Sequence, residues 1–193
     1  MLSFVPHRRG IISKLYDIIL TFSNHSNAKL KCTWERELGI QLHEESWKQV
    51  IERVRTTTSC ARLGLIQFKV LHRAHFSKSR LSELYPDVED KCDKCHGSPC
   101  HLSHMFFFCP DLNGFWAGYF TIMSSVLGVN LQPCPLIAIF GIPNPSIVLN
   151  PTQKDIIAFT SLLARRSLLL HWKSARYPSI SLWLKDVMFF FET

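Results

Sequence analysis

Cys92, Cys95, His104 and Cys109 stand in the pattern C-x2-C-x8-H-x4-C, and no other feature constrains so tightly what the surrounding chain can become. Four of the seven cysteines, these three and Cys100, fall within residues 92–109, where even scatter would place fewer than about one. A Cys-x2-Cys pair sets two thiolates at one corner of a tetrahedron through a tight turn. Gly97, Ser98 and Pro99 then reverse the chain toward the second pair. Zinc suits such a shell because it accepts thiolate and imidazole together, and four protein ligands leave no open position, which makes the expected site structural. Its binding free energy would be folding free energy for residues 88–112, a segment expected to have little of its own to bury. Cys100, His96 or His101 could take the place of His104, although only His104 gives the H-x4-C ending seen in nucleic-acid-binding zinc knuckles. Ordinary packing of small cysteines is the competing reading. No βαβ pattern surrounds Cys92 and Cys95, which argues against a redox pair.

Charge is the second constraint. The chain carries a formal +7, and its placement is uneven. Between Arg53 and Ser82 stand Arg53, Arg55, Arg62, Lys69, Arg73, Lys78 and Arg80 with no Asp or Glu, and the remaining 15 basic residues equal the 15 acidic ones. That stretch therefore holds the whole surplus, which points toward a polyanionic partner. The opening MLSFVPHRRG is interrupted by Pro6, so no secretory segment is expected there, and no run of 18 apolar residues exists to span a membrane. A nuclear or cytoplasmic, reducing setting is the expectation, in which clustered cysteines mean metal or free thiols.

With 193 residues and 47% of them apolar, the chain is long enough to bury a core. Strand-like alternation is scarce, so the expected fold is all-α: an irregular helical domain with a small zinc-binding loop and helix insertion. Residues 1–85 read as a helical region with a basic helix, 86–115 as the zinc-binding segment and 116–193 as a helical end. Leu15, Ile18, Ile19 and Phe22 repeat at helical spacing, and Asn24 to Asn27 read as a break. Trp34 and Leu38 continue the pattern to Gly39. Trp47, Val50, Ile51 and Val54 share one helical face, and Leu63, Ile66, Val70 and Leu71 the next. Ser77 is placed to cap a short helix that Pro86 ends. Phe115, Trp116, Tyr119, Phe120, Met123 and Leu127 follow Pro110 and close at Gly128. Residues 132–151 read as an irregular connection around LIAIFG. A helix from about Thr152 to Lys173 is expected to bury Ile156, Phe159, Leu163 and Leu170. A last one from about Ser179 should turn Leu182, Trp183 and Val187 inward, with the terminal VMFFF packed inside.

Several separated blocks carry a family likeness: WERELGIQLHEESWKQV, IQFKVLHRAHFSKSRL, CDKC, HMFFFCPDLNGFW and LLLHWKSARYPSISLWLKDVM. In this order they resemble the carboxy-terminal region of fish-type LINE (non-LTR retrotransposon) reverse transcriptases, from about Trp34 onward. In that family a cysteine and histidine cluster follows the polymerase domain. Its last cysteine is commonly followed by proline and then Phe-Trp, here Cys109, Pro110, Phe115 and Trp116. The resemblance implies a role in holding template RNA or target DNA. No Tyr- or Phe-x-Asp-Asp motif and no adjacent aspartates exist in this chain, so the carboxylate pair that nucleotidyl transfer requires is missing. The expectation is a remnant or reused domain that does not polymerise.

The sequence therefore supports a non-catalytic module that binds RNA or DNA with low sequence specificity. Arg62, Lys69, His72, Arg73, Lys78 and Arg80 would contact phosphates, with stacking on His75 or Phe76. No membrane and no small-molecule substrate is expected. A zinc-stabilised helical scaffold for protein interaction is the alternative. An enzyme ranks last, since neither Cys60 nor Cys134 has a partner that would make it a nucleophile.

Overall fold

A computed structural model of the chain describes residues 24–173 and 178–192; the helix expected over Leu15 to Phe22 lies outside them. Among the described residues there are helices and no strands, so the fold is all-α. The chain divides into two compact units, residues 1–41 and 42–193.

The described part of the first unit is α1 (Asn24–Leu38). Asn24 to Asn27, expected to break the chain, form the opening turn of this helix instead. Short polar side chains suit a helix start as well as a break. Gly39 ends α1 in the left-handed region at φ +64, where a Cβ would be strained.

The second unit starts with α2 (Glu44–Thr56), α3 (Ala61–Leu71) and α4 (Lys78–Leu84). Glu44 and Glu45 in the first turn of α2 and Arg53 and Arg55 in its last complement the helix dipole, while Trp47 and Val50 are buried. Ser77 caps α4, its hydroxyl accepting from the Arg80 N–H at 3.2 Å. After the cysteine-rich lobe come α5 (Asn113–Leu127), α6 (Pro135–Phe140), α7 (Pro151–Leu170) and α8 (Ile180–Glu192). The expected apolar face of α5 is buried in full, and Gly128 closes the helix at φ +65. The LIAIFG piece is not irregular: Pro135 starts a short helix there whose Ile137, Ala138, Ile139 and Phe140 are all buried.

α7 is the hub of this unit, packed by α3, α6 and α8. Asn150 and Gln153 form a reciprocal capping box at its start, with bonds of 2.8 and 2.9 Å. Of the stripe expected to be buried, only Leu163 is; Ile156 and Phe159 are half-buried and Leu170 is 63% exposed. The buried set is instead Ile157, Ala158, Leu162, Ala164 and Leu168, together with polar Thr160, Ser161, Arg165 and Ser167. Neighbours on several sides cover small and polar residues that an amphipathic reading assigns to solvent.

Arg165 is fully buried, donating to the Ala138 carbonyl at 2.9 Å and to Gln67 Oε1 at 3.1 Å. α8 docks through Trp183, whose indole donates to the Thr160 carbonyl at 3.0 Å, and through an Arg166–Asp186 ion pair of 2.6 Å. Leu182 does not turn inward, being 50% exposed. Nor does the end of α8 pack inside: Met188, Phe189 and Phe191 are exposed, although Phe190 and Phe191 edge against Phe159. The first turn of α8 approaches Gly118 of α5 through Ile180, and Trp183 alone supplies its fully buried aromatic anchor.

Candidate metal centre

Asp87 to Leu112 forms a lobe between α4 and α5 that is built almost wholly from turns. Its first half is a knuckle. The Cys92 N–H donates to the Gly97 carbonyl and the His96 N–H to the Cys92 carbonyl, at 2.9 and 3.0 Å, folding CDKCHG on itself. His96 takes φ +57 to permit this, and the Gly97 N–H then points at Cys95 Sγ, 3.4 Å away. A Cβ at Gly97 would stand 3.3 Å from that sulfur and 3.6 Å from His104 Cε1, so the turn is closed tightly around the ligand atoms.

The second half is a π-helical turn, His104–Phe108, followed by a 3-10 turn, Pro110–Leu112. The Cys109 N–H bonds to the His104 carbonyl at 2.9 Å, five residues back. At α-helical pitch, residues five apart point about 140° from each other. The wider i→i+5 turn brings Cys109 round toward His104, which is how an H-x4-C spacing becomes a pair. Phe106, Leu102 and Leu112 are buried, and the Trp116 indole donates to the Phe106 carbonyl at 2.9 Å, fastening this half to α5. Residues 88–112 thus divide. The expectation of little to bury holds for the knuckle and fails for the second half, because HMFFF contributes Phe106 to the core.

Cys92, Cys95, His104 and Cys109 converge: one ligand atom from each lies within 4.8 Å of every other. Cys92 Sγ and Cys109 Sγ are 3.8 Å apart, and Cys95 Sγ is 3.2 Å from His104 Nε2. Metal–sulfur bonds of about 2.3 Å put two tetrahedral thiolates about 3.8 Å apart, the separation found between Cys92 and Cys109. The donor set and its spacing fit a four-coordinate metal. Of the possible replacements for His104, His96 is exposed, and Cys100 and His101 stand outside the converging four.

The electrostatics agree. Burial pushes the Cys92 thiol up, but the N–H groups of Cys95 and Lys94 and the neighbouring thiols outweigh it, and the net direction is below the ordinary thiol value. Burial, reinforced by the Cys95 and Cys92 sulfurs, drives Cys109 up to about 12, and Cys100 beside Cys92 goes to about 12 as well. Burial also lowers His104. A cation at the centre would offset the burial that holds Cys109 protonated.

Outside the metal shell, Asp90 joins the lobe to α4. Its Oδ1 accepts from Ser79 Oγ at 2.7 Å and from the Cys100 N–H at 2.8 Å, while the Ser79 N–H donates to the Cys100 carbonyl at 3.3 Å. Lys78 pairs with Asp93 at 2.8 Å. Sequence reasoning passed over Asp90 and weighed Cys100 only as a possible ligand; the one available signal for Asp90 was a carboxylate two residues before the first ligand.

The expected phosphate-binding residues differ in exposure and engagement. Arg62 and Lys69 are exposed on α3, His72 is half-buried and stacks on Phe68 at 4.4 Å, and Arg73 is half-buried at φ +55. Lys78 is engaged with Asp93. Arg80 lies 5.1 Å from the Phe76 ring centroid and donates to the Arg73 carbonyl at 3.0 Å. No helix among the described residues is long and apolar enough to cross a membrane. No protein-family profile matches the chain.

Proposed function

We propose that this chain is a non-catalytic nucleic-acid-binding module in which a structural zinc ion, held by Cys92, Cys95, His104 and Cys109, fixes the seat of a basic helical surface. Asp90 carries the reading, because its carboxylate ties the Cys100 backbone of the cysteine lobe to Ser79 of basic α4. The metal would thereby order α4, whose Lys78 and Arg80 belong to the stretch that holds the positive surplus. Zinc suits three thiolates and one imidazole in a closed shell better than the oxygen-seeking cations do. Arg62 and Lys69 on α3, with Arg80 on α4, are the exposed cations offered to phosphates; His72, Arg73 and Lys78 support them from half-buried positions. The resemblance to the carboxy-terminal region of LINE reverse transcriptases makes RNA or DNA the polyanion, read with little sequence preference.

Two measurements test this. Metal analysis of the purified chain beside Cys95→Ser should find about one equivalent of zinc in the first and none in the second; equal content in both removes the centre. Binding of an RNA or DNA oligonucleotide should weaken steeply with salt, and Lys69→Glu with Arg62→Glu should abolish it.

A second reading, a protein-interaction scaffold, draws support from the exposed Met188, Phe189 and Phe191 of α8. Under it the charge-reversed variant would keep its partner, and the parent chain would show no salt-dependent retention of nucleic acid.

A further inference from the structure

An open groove of about 1250 Å³ runs between the turn after α3, the start of α4, and the C-terminal end of α7. Trp172 forms part of its lining, 5.5 Å ring to ring from buried Phe106 and 6.4 Å from His75. Phe76 stands in the wall and is 52% exposed. The Arg80 guanidinium lies over that ring, 5.1 Å from its centroid, and donates to the Arg73 carbonyl at 3.0 Å. His75 also lines the groove, and its Nε2 is buried with no hydrogen-bond partner among the described residues.

The charges around the groove are one-sided. Asp93 in the lining is already neutralised by Lys78 at 2.8 Å. Lys173 lies exposed at the end of α7, and Lys69 is near enough to His75 that its charge, after burial, lowers the affinity of that imidazole for a proton. A half-exposed aromatic ring and cations at the rim suit an unstacked base with a phosphate on either side. A duplex hides its base faces within the stack and offers such a groove only phosphates. An acidic peptide would use the rim and leave the aromatic wall idle.

We propose that this groove binds single-stranded nucleic acid, one base stacking on Phe76 and the flanking phosphates on Arg80, Lys69 and Lys173. This rests on the nucleic-acid-binding reading above and specifies both the strand state and the seat.

The test is fluorescence anisotropy of the full chain with a fluorescein-labelled oligothymidylate of about twelve nucleotides and with a duplex of equal length, each over a salt series. Phe76→Ala should weaken the single strand roughly tenfold, the range of one lost base stack, with the salt slope unchanged and the duplex affected less than about twofold; Phe76→Trp should restore binding. Lys69→Ala should weaken both and flatten both slopes by about one phosphate contact. Single-strand affinity indifferent to Phe76, a parallel loss on both probes, or competition by polyglutamate as effective as by unlabelled oligonucleotide would each overturn the groove while leaving general nucleic-acid binding in place. A parent chain that binds neither probe at low salt would remove both readings.

Discussion

His96 sits between ligand Cys95 and Gly97 in a left-handed backbone, φ +57, with its side chain exposed. An L-residue there costs about 1 to 2 kcal/mol relative to its relaxed form, and the knuckle's hydrogen bonds hold it in place. His96→Gly should therefore raise stability by about 0.5 to 1 kcal/mol in urea unfolding of the metal-loaded protein, the added freedom of the unfolded glycine cancelling part of the gain. A fall in stability would mean that the imidazole has a role of its own. Arg165 poses the opposite case: a fully buried guanidinium whose Nε has no partner and whose hydrogen-bond acceptors include no carboxylate among the described residues. Burial, eased only slightly by Tyr119, pulls its pKa down to about 9. Arg165→Met would leave Gln67 Oε1 and the Ala138 carbonyl without a donor, at about 1 to 3 kcal/mol for each buried group. Adding Gln67→Leu removes one orphan, so the double variant should be more stable than Arg165→Met alone; additive losses in the double-mutant cycle would deny the coupling.

Helix α7 shows where a periodic reading stops working. The sequence predicts an amphipathic helix and places it well, but its buried face follows from which helices arrive around it, and α6 was not foreseen as a helix at all. The contact between them depends on Gly141, which caps α6 at φ +73 and whose missing Cβ would stand 2.8 Å from the Ala158 backbone. Gly141→Ala should cost about 2 to 4 kcal/mol, from overpacking and a strained φ together, read as a lowered thermal midpoint. The outer face of α8 is insensitive by contrast. Leu182 and Met188 are 50% and 52% exposed, so Leu182→Lys and Met188→Lys should shift stability by no more than about 0.5 kcal/mol while reducing self-association in light scattering. A large loss of stability would place those side chains in a core.

For the molecule, the metal lobe and the helical core of the second unit rest on different foundations. The knuckle from Cys92 to Cys100 is held by turns, Asp90 and the convergent ligands, whereas α5 to α8 bury aromatic and aliphatic side chains that need no ion. Chelating the metal should thus raise amide exchange over residues 78–104 while the middle of α7 keeps its protection. Uniform exchange across the second unit after chelation would show that lobe and core unfold together. Under the proposed nucleic-acid-binding role, affinity should fall with the local opening, since α4 takes its seat from Ser79, Asp90 and Cys100.

The sequence alone determined the helical class, the starts and stops that Ser77, Gly39, Pro110 and Gly128 impose, and three of the four residues that converge in the lobe, with His104 favoured as the fourth. These are local matters of backbone preference and of ligand spacing within 18 residues. The tertiary structure alone decided which way α7 faces, that Arg165 meets Gln67 across 98 residues, that Asp90 clasps α4, and that Phe76, Trp172 and His75 line one groove. Burial is a property of neighbours distant in the chain, and period or composition cannot say which helix will arrive on which side.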